Sequence, residues 1–244
     1  MCMPKTVLII PTYNEADNLA NIISAILALD IDNLEILVVD DASTDGTGGI
    51  AEDLAQQHPG RVHALHREGE KGLGTAYVVG FKWALHHKAH YIIQMDADFS
   101  HSPAYIPQLL SIMDEFDVVI GSRYVAGGQI DERWSWWRWL LSWWANSVWV
   151  RLILGMKTRD ATAGFKCWRA SALQTVPLDK IRSNGYVFQV EMTYLAERMG
   201  LRINEMPIHF EDRRIGRSKM SVRIKIEAAL RVFEIRYRHS QRAC

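Results

Sequence analysis

The first half of the chain alternates between short apolar runs and longer segments in which apolar residues recur every three or four positions. The short runs are rich in β-branched residues and predict buried strands: TVLII, EILVVD, RVHAL, YIIQMD and DVVIGSR. The segments between them, such as EADNLANIISAIL and GTAYVVGFKWALHH, predict helices. This βαβα order predicts an α/β fold with a mainly parallel central sheet flanked by helices.

The second half of the chain is less regular and contains most of the tryptophans. It predicts, in order, a Trp-rich helix over about residues 134–156, a loop RDATAGFKCW, a helix within SNGYVFQVEMTYLAERMG, an edge strand INEMPIHF, a basic loop EDRRIGRSK and a basic helix over about residues 222–238. Because no Pro/Gly/Ser-rich linker divides the chain, we expect a single domain over residues 1–244.

Composition and charge narrow the class of protein. The 28 Lys and Arg residues balance the 28 Asp and Glu residues, so nothing in the net charge indicates a nucleic-acid partner. Three scattered cysteines suit a reducing, cytoplasmic compartment better than a disulfide framework. The N-terminus is too short for a secretory signal, and no run reaches 18 apolar residues. We expect a soluble protein or one bound to a membrane surface.

Four polar, turn-rich loops follow predicted strands. They are PTYNE (11–15), DDASTDGT (40–47), DADFSHSP (96–103) and GSRY (121–124). Ligands of open parallel sheets bind beyond the carboxyl ends of the strands. We therefore expect these four loops to meet at one edge of the sheet and to form the functional site.

The loop DADFSHSP offers two carboxylates separated by one residue. Asp96 and Asp98 together could hold Mg²⁺ or Mn²⁺, since these hard cations prefer oxygen ligands and often bridge to substrate phosphates. The alternative is that the aspartates only end the strand, with Ser102 as N-cap of the helix that begins at Pro103. The residues alone leave both interpretations open.

The loop that begins at Asp41 has two interpretations. Its acidic residues match the spacing of a calcium-binding EF-hand loop, but an EF-hand requires a helix where EILVVD predicts a strand. In the other interpretation, Asp40 or Asp41 accepts hydrogen bonds from a nucleotide. In PTYNE, Tyr13 offers a stacking face, while Asn14 or Glu15 could contact a base or cap the next helix.

The stretch WSWWRWLLSWWANSVW contains seven of the nine tryptophans. On a helix, Ser135, Arg138, Ser142 and Asn146 form one narrow polar stripe, and tryptophans and leucines fill the remaining arc. Tryptophan is favoured where an apolar phase meets water. The pattern favours an amphipathic helix in a membrane interface, and the alternative is a core helix that covers the sheet.

The order PTYNE, VVDDxSxDGT, MDADFSHSP and GSRY resembles that of the GT-A-fold inverting nucleotide-sugar transferases of glycosyltransferase family 2. In the second half, RDATAGFKCW, SNGYVFQVEM and FEDRRIGRSKM resemble the dolichyl-phosphate mannose synthases of that family. The resemblance implies a GT-A fold, GDP-mannose as donor, Mg²⁺ or Mn²⁺ as cofactor and a dolichyl or other polyprenyl phosphate as membrane acceptor.

The resemblance also implies roles for individual residues. The metal would be held by Asp96 and Asp98, with Ser100 at the third ligand position, and catalytic roles would fall on Asp98, Arg123 and Asp160, the last as a positioning residue. The nucleotide side comprises Pro11, Tyr13, Glu15, Val39, Asp41, Ala97, Lys166, Arg213 and Lys219. The resemblance would also place Arg123 on the side of the acceptor phosphate. Independently of the resemblance, a Trp-rich helix in the membrane interface would bring Arg133 and Arg138 near that phosphate.

The expected protein is therefore a metal-dependent dolichyl-phosphate mannosyltransferase, peripheral on the cytosolic face of a membrane. A small membrane subunit could anchor it. Two alternatives remain at this stage: the same chemistry with a UDP-sugar such as UDP-glucose, and a non-catalytic, calcium-dependent membrane-binding module.

Overall fold

The computed structural model describes residues 4–68, 72–131, 136–211 and 222–240. Nine strands occur within these ranges: β1 (Thr6–Thr12), β2 (Leu34–Asp40), β3 (Val62–His66), β4 (Tyr91–Gln94), β5 (Val118–Ser122), β6 (Gln129–Ile130), β7 (Lys166–Arg169), β8 (Ile203–Pro207) and β9 (His209–Phe210). Seven of them form one sheet in the order β3-β2-β1-β4-β7-β5-β8, and β6 pairs with β9. All the pairings are parallel except those of β7, so the expected α/β fold with a mainly parallel sheet is confirmed.

Helices cover both faces of the sheet. The helices of the described ranges are α1 (Ala16–Leu27), α2 (Thr47–Gln57), α3 (Leu73–His86), α4 (Ile106–Ser111), α5 (Trp136–Trp144), α6 (Arg151–Leu154), α7 (Ala170–Thr175), α8 (Gly185–Arg198) and α9 (Val222–Ser240). Along β1, Val7 and Ile9 pack against the side of α3 and α8, while Leu8 and Ile10 pack against the side of α1. Alternate residues of a strand point to opposite faces, so both faces of β1 are buried.

Strand β7 was not expected, because the sequence analysis assigned RDATAGFKCW to a loop. In the structure its last three residues, KCW, form an antiparallel strand together with Arg169, inside the sheet between β4 and β5. The sequence pattern did not predict this strand because Lys166 is wholly buried in it, and lysine rarely occupies a core position. The strand is consistent with its surroundings nonetheless: Cys167 packs on one face of the sheet and Trp168 on the other.

The Trp-rich segment is helical, as expected, but it is not one regular helix. A π-helical stretch, Ala145–Val150, lies between α5 and α6. Together with α9 this segment covers a third apolar cluster that includes Val150, Leu154, Val232 and Ile235. Within the ranges that the structure describes, no helix is long and apolar enough to cross a membrane.

Candidate active site

Four strands bring the polar loops to one edge of the sheet. Strands β1, β2, β4 and β5 run in the same direction, because β7 is antiparallel to both β4 and β5. Their carboxyl ends therefore lie at the same edge, which is where the sequence analysis expected the loops to meet.

The loops after β1 and β2 are joined by side-chain hydrogen bonds. Asn14 has a left-handed backbone, and its Oδ1 accepts a bond of 2.9 Å from the amide of Thr44. Asp45 accepts from the amide of Ala16 at 3.1 Å, at the start of α1. The N-cap residue of α1 is Glu15, which makes no side-chain cap bond. The expected capping by Asn14 is therefore wrong, because this side chain bonds the neighbouring loop instead.

Asp41 lies at the end of β2 with both carboxylate oxygens engaged. Arg67 Nη1 donates to one oxygen, and the amide of Gly72 donates to the other at 2.6 Å. Arg67 also donates from Nη2 to Thr75 Oγ1 at 2.8 Å. Arg67 was not among the residues predicted from the sequence, although it directly follows β3, just as the predicted loops follow their strands. Since β2 precedes this loop, the EF-hand interpretation is wrong.

The DAD turn after β4 holds its two carboxylates differently. Asp98 is buried, and its Oδ1 accepts from the amide of Ser100 at 3.1 Å and from the Ser100 hydroxyl at 2.6 Å. The side chain of Asp96 is 32% exposed, and Tyr77 donates a long bond of 3.4 Å to its Oδ1. Asp98 is therefore fixed from within the turn, while Asp96 faces outward.

The surroundings of the DAD turn suit a divalent cation. A Cβ added to Gly164 would lie 3.5 and 3.6 Å from the two oxygens of Asp96, so the absence of a side chain there keeps room beside the carboxylate. Carboxylate oxygens are the ligands that Mg²⁺ and Mn²⁺ prefer, with substrate phosphates and water completing the coordination. No cluster of three or more His, Cys, Asp or Glu ligands occurs within the described ranges, so these two carboxylates would need such additional ligands.

His101 packs against the DAD turn and accepts a hydrogen bond from it. It is buried, its ring stacks on Phe165 with centroids 5.3 Å apart, and its Nδ1 accepts a 3.4 Å bond from the amide of Asp96. Burial lowers the pKa of His101 despite the nearby aspartates, which favours the neutral ring. Ser102 occupies the N-cap position of the short 3₁₀ turn Pro103–Tyr105, without a side-chain cap bond.

Arg123 and Asp160 form a buried, bidentate ion pair. Arg123 donates from Nε at 2.8 Å and from Nη2 at 2.6 Å to the two oxygens of Asp160, and its amide adds a bond of 2.9 Å. Nη2 also donates to Thr162 Oγ1 at 2.8 Å. Burial opposes the charge of Arg123, but Asp160 outweighs it and raises the arginine pKa. Phe210 lies between this pair and the DAD turn, since its ring contacts both the Arg123 guanidinium and His101.

Comparison with known proteins identifies the family. Residues 7–181, more than half of the chain, match the model of Glycosyl transferase family 2. The chain belongs to glycosyltransferase family 2. The family resemblance stated from the sequence motifs is thus confirmed.

Two relatives are similar over nearly the whole chain. An undecaprenyl-phosphate mannosyltransferase of Micrococcus luteus is 44% identical over 93% of this chain and 92% of its own length. A polyprenol monophosphomannose synthase of Mycolicibacterium smegmatis is 42% identical over 94% of this chain and 86% of its own length.

Solved structures share the fold at much lower sequence identity. Mannosyl-3-phosphoglycerate synthase of Rubrobacter xylanophilus superposes with a TM-score of 0.70 at 17% identity, over 99% of this chain and 76% of its own. Glucosyl-3-phosphoglycerate synthase of Mycobacterium tuberculosis, in complex with Mn²⁺, UDP-glucose and phosphoglyceric acid, gives a TM-score of 0.67 at 16% identity, over 96% of this chain and 79% of its own. These likenesses confirm the GT-A fold.

The residues that were expected to bind the nucleotide in this family 2 protein differ in their exposure to solvent. Val39 and Ala97 are buried, whereas Tyr13 is exposed and Pro11 is half-buried. Lys166 is wholly buried, and its Nζ donates to Gln189 Oε1 at 2.9 Å and to the Gln189 carbonyl at 3.2 Å. Burial lowers the pKa of Lys166 to about 7. The structure thus places Lys166 beneath the site rather than at a surface that phosphate could reach.

Four expected phosphate contacts are not described. Arg133, Arg213 and Lys219 lie outside the described residues, and so does the side chain of Arg138, whose backbone belongs to α5. Their roles stay predictions. Among the described residues, the structure brings Asp96, Asp98, Ser100, Arg123 and Asp160 to one edge of the sheet.

Proposed function

We propose that this family 2 enzyme transfers mannose from GDP-mannose to a polyprenyl phosphate, with inversion at the anomeric carbon, and so forms a polyprenyl-phosphate mannose. The observation that carries the proposal is the 44% identity to an undecaprenyl-phosphate mannosyltransferase over 93% of the chain. The aspartates at the sheet edge supply the donor side of such a site, and the buried Arg123 pair supports the opposite side.

On the donor side, Asp96 and Asp98 would hold Mg²⁺ or Mn²⁺. When bound, the cation neutralises charge on the leaving diphosphate. Ser100 was expected as a third ligand, but its hydroxyl donates to Asp98 Oδ1, so we assign it to orienting that carboxylate. Arg213 and Lys219 are proposed as phosphate contacts on the strength of the family motif. Tyr13, 42% exposed beside the loop after β1, is proposed to stack on the base.

On the acceptor side, the nucleophile requires little activation by the protein. A phosphate monoester has a second pKa of about 6, so it carries its charge at neutral pH and needs no general base. Asp160 agrees with this chemistry, because it is wholly buried and both of its oxygens accept from Arg123. We therefore assign Asp160 to positioning Arg123 rather than to proton transfer.

A membrane surface is the proposed partner of the Trp-rich region. Several large apolar side chains of α5, α6 and α9 are exposed, and we call them the apolar surface: Trp136, Trp137, Leu140, Leu141, Trp143, Trp144, Leu152, Leu230, Phe233 and Tyr237. Trp149 joins the two parts of the surface, since it stacks on Trp144 and meets Phe233 edge to face. Aromatic side chains with a polar edge suit the headgroup level, where the acceptor phosphate lies.

The membrane proposal extends to location. Binding at the cytosolic face, with or without a small anchoring subunit, would bring the site to the level of the acceptor phosphate without a spanning helix. Arg133 and Arg138, at the start of the Trp-rich segment, are proposed to lie near that phosphate.

A donor and acceptor panel tests the function. The protein would be incubated with radiolabelled GDP-mannose, GDP-glucose or UDP-glucose and with vesicles that contain polyprenyl phosphate, and label in the lipid extract would be counted. We expect lipid labelling from GDP-mannose, its loss on addition of EDTA and its absence in Asp98→Asn. Labelling from UDP-glucose alone would replace the proposed donor, and no labelling from any donor would overturn the proposal.

A further inference from the structure

Two residues of the polar stripe, Ser142 and Asn146, contact the loops that carry Arg123 and Asp160. Asn146, in the π-helical stretch, is only 3% exposed, and its Oδ1 accepts from the amide of Thr162 at 3.1 Å. One turn earlier, Ser142 Oγ bonds the hydroxyl of Tyr124 at 2.7 Å. Thr162 and Tyr124 belong to the two loops that carry Asp160 and Arg123. Ser142 and Asn146 therefore bond the helical segment to both loops.

These bonds close into a ring. Asn146 Nδ2 donates to the carbonyl of Ser142 at 3.0 Å, Thr162 Oγ1 accepts from Arg123, and Arg123 is followed in the chain by Tyr124. The ring thus runs through Asn146, Thr162, Arg123, Tyr124 and Ser142. The four hydrogen bonds of this ring are partly buried. Connected hydrogen bonds that are shielded from water strengthen one another and fix the relative position of the elements that they join. Here the elements are the loops of the site and the helix that carries the exposed tryptophans.

Asn146 lies in the π-helical stretch, whose backbone geometry differs from that of the helix around it. Single turns of π-helix shift the register of the residues that follow and often occur at functional sites. Asn146 lies at the second position of the stretch. Its side chain spans the gap between the helix and the loop that begins at Asp160, and it satisfies one partner on each side.

We propose that Asn146 is a positioning residue for the acceptor half of the reaction. It holds the loop of Asp160 and Thr162, and through them Arg123, at a fixed place relative to the apolar surface. The inference rests on the proposed function for its role in catalysis, but the mechanical link itself rests only on the ring. An acceptor whose tail lies in the membrane requires such a link, because the distance between the bound surface and the attacking oxygen sets the geometry of transfer.

The test compares Asn146→Ala with Asn146→Asp, which keeps the oxygen that accepts from Thr162. The matched control is Asn21→Ala, since Asn21 also donates to the carbonyl four residues earlier in a helix, but lies on the exposed face of α1. Tyr124→Phe opens the ring at its other side and serves as a second variant. Amide hydrogen exchange at Thr162 would be measured together with steady-state transfer to long-chain and short, water-soluble polyprenyl phosphates.

In Asn146→Ala we expect faster exchange at Thr162 and a loss of kcat/KM of about tenfold for the long-chain acceptor, the effect of a small displacement of reacting groups. The loss should be smaller for the short, water-soluble acceptor, because that acceptor is not held by a membrane and can follow the displaced loop. The KM for GDP-mannose and binding to vesicles should not change. Asn146→Asp should recover part of the acceptor activity, since it keeps the oxygen that accepts from Thr162 but loses the donation to the Ser142 carbonyl and buries a carboxylate. Tyr124→Phe should lower the acceptor activity in the same direction as Asn146→Ala.

Other outcomes separate this inference from the proposed function. Unchanged exchange at Thr162, or unchanged acceptor kinetics in both Asn146→Ala and Tyr124→Phe, would overturn the positioning role while the enzyme still transfers mannose. A fall in melting temperature with equal losses for donor and acceptor would reduce Asn146 to a structural residue and overturn the inference as well. If the wild-type protein transfers no mannose, the proposed function fails, and hydrogen exchange then decides the mechanical link.

Discussion

The charged side chains of the site are held by neighbours before any substrate arrives. Asp98 is fixed by Ser100, Asp41 by Arg67 and Asp160 by Arg123. Such preorganisation lowers the reorganisation that the transition state would otherwise require. It also means that the loss of one residue leaves its partner misplaced, so single substitutions should have large effects.

The two aspartates of the DAD turn should be needed for transfer and not for folding. We expect Asp96→Asn and Asp98→Asn each to lower kcat by about a hundredfold or more, because an amide is a poor ligand for Mg²⁺ or Mn²⁺. Melting temperatures should stay close to that of the wild-type protein. Asp53→Asn, on the exposed face of α2, is the matched control. Wild-type rates in both variants across a Mg²⁺ and Mn²⁺ titration would refute the metal assignment.

Lys166 should give the protein a pH-dependent stability. Its folded pKa of about 7 is below its ordinary value of 10.5, so between these values the unfolded chain binds a proton that the folded chain does not. Stability from this residue therefore rises with pH over that window. In urea unfolding, the wild-type protein should gain stability relative to Lys166→Met as the pH increases from about 7 to about 10. Parallel pH profiles of the two proteins would contradict the assignment.

Only part of the site could be predicted from the sequence, because some of its residues are close neighbours along the chain and others are hydrogen-bonded to residues far away in the sequence. Asp96 and Asp98 stand two positions apart after a strand, and a short motif contains their chemistry. Arg67 binds Asp41 across 26 residues, and Asn146 binds Thr162 across 16. Sequence patterns are local, so they contain no signal for such partners until the fold brings the loops together.

At the scale of elements, the Trp-rich segment has both a buried part and an exposed apolar part, whereas its sequence suggested either a core helix or an interfacial one. Val150 and Leu154 pack into a core cluster, so the segment does cover the domain. Trp136 and Trp137 are each 64% exposed and stack on one another, so another part of it is open. The segment is therefore apolar throughout, but one part of it is buried in the protein and the other part is exposed to solvent.

The exposed half should bind membranes. We expect Trp136→Ser with Trp137→Ser to reduce flotation with anionic liposomes and transfer to the long-chain acceptor, while transfer to the short, soluble acceptor survives. The physical reason is the loss of two large side chains from the interface and not from the core. Met199→Ser, which removes an exposed apolar side chain at the end of α8, is the control. Equal losses on both acceptors together with a lower melting temperature would show that the tryptophans stabilise the fold instead.

Strand β7 and the π-helical stretch were not predicted from the sequence because both depend on features that hydrophobic periodicity does not contain. Strand β7 contains a buried lysine, and the π-helical stretch follows the same apolar pattern as the helix around it. Periodicity separates strand from helix, but it does not show that Gln189 will accept from Lys166 or that one helical turn will widen. The regular βα units of the first half, in contrast, follow their hydrophobic pattern closely.

At the scale of the whole molecule, one buried carboxylate bonds the end of α9 to the domain, in addition to the apolar packing of Val232 and Ile235. Glu191 of α8 is wholly buried, and its Oε1 accepts from Arg238 and from His239, both at 2.8 Å. Its Oε2 accepts from the amide of Ser183 at 3.1 Å, just before α8. The last turn of the basic helix is therefore bonded to the body of the enzyme.

Removal of this carboxylate should loosen α9. We expect Glu191→Ala to lower the free energy of unfolding by about 3–5 kcal/mol, because it leaves the partners of a buried ion pair without their acceptor. Limited proteolysis should then cut within α9 sooner. Glu234→Ala removes only the exposed partner of Arg238 and should cost less than about 1 kcal/mol. Similar losses in the two variants would contradict the role of Glu191.

The position of β7 has a consequence for the order in which the molecule assembles. Strands β1 to β4 pair with one another, so half of the sheet can form while the rest of the chain is still being made. Strand β5 pairs only with β7 and β8, which follow it by more than forty residues. Until β7 leaves the ribosome, the loop of Asp96 and the loop of Arg123 have no common scaffold. We expect pulsed hydrogen exchange during refolding to protect β1 and β2 before β5, so that the two halves of the site meet in the last stage of folding.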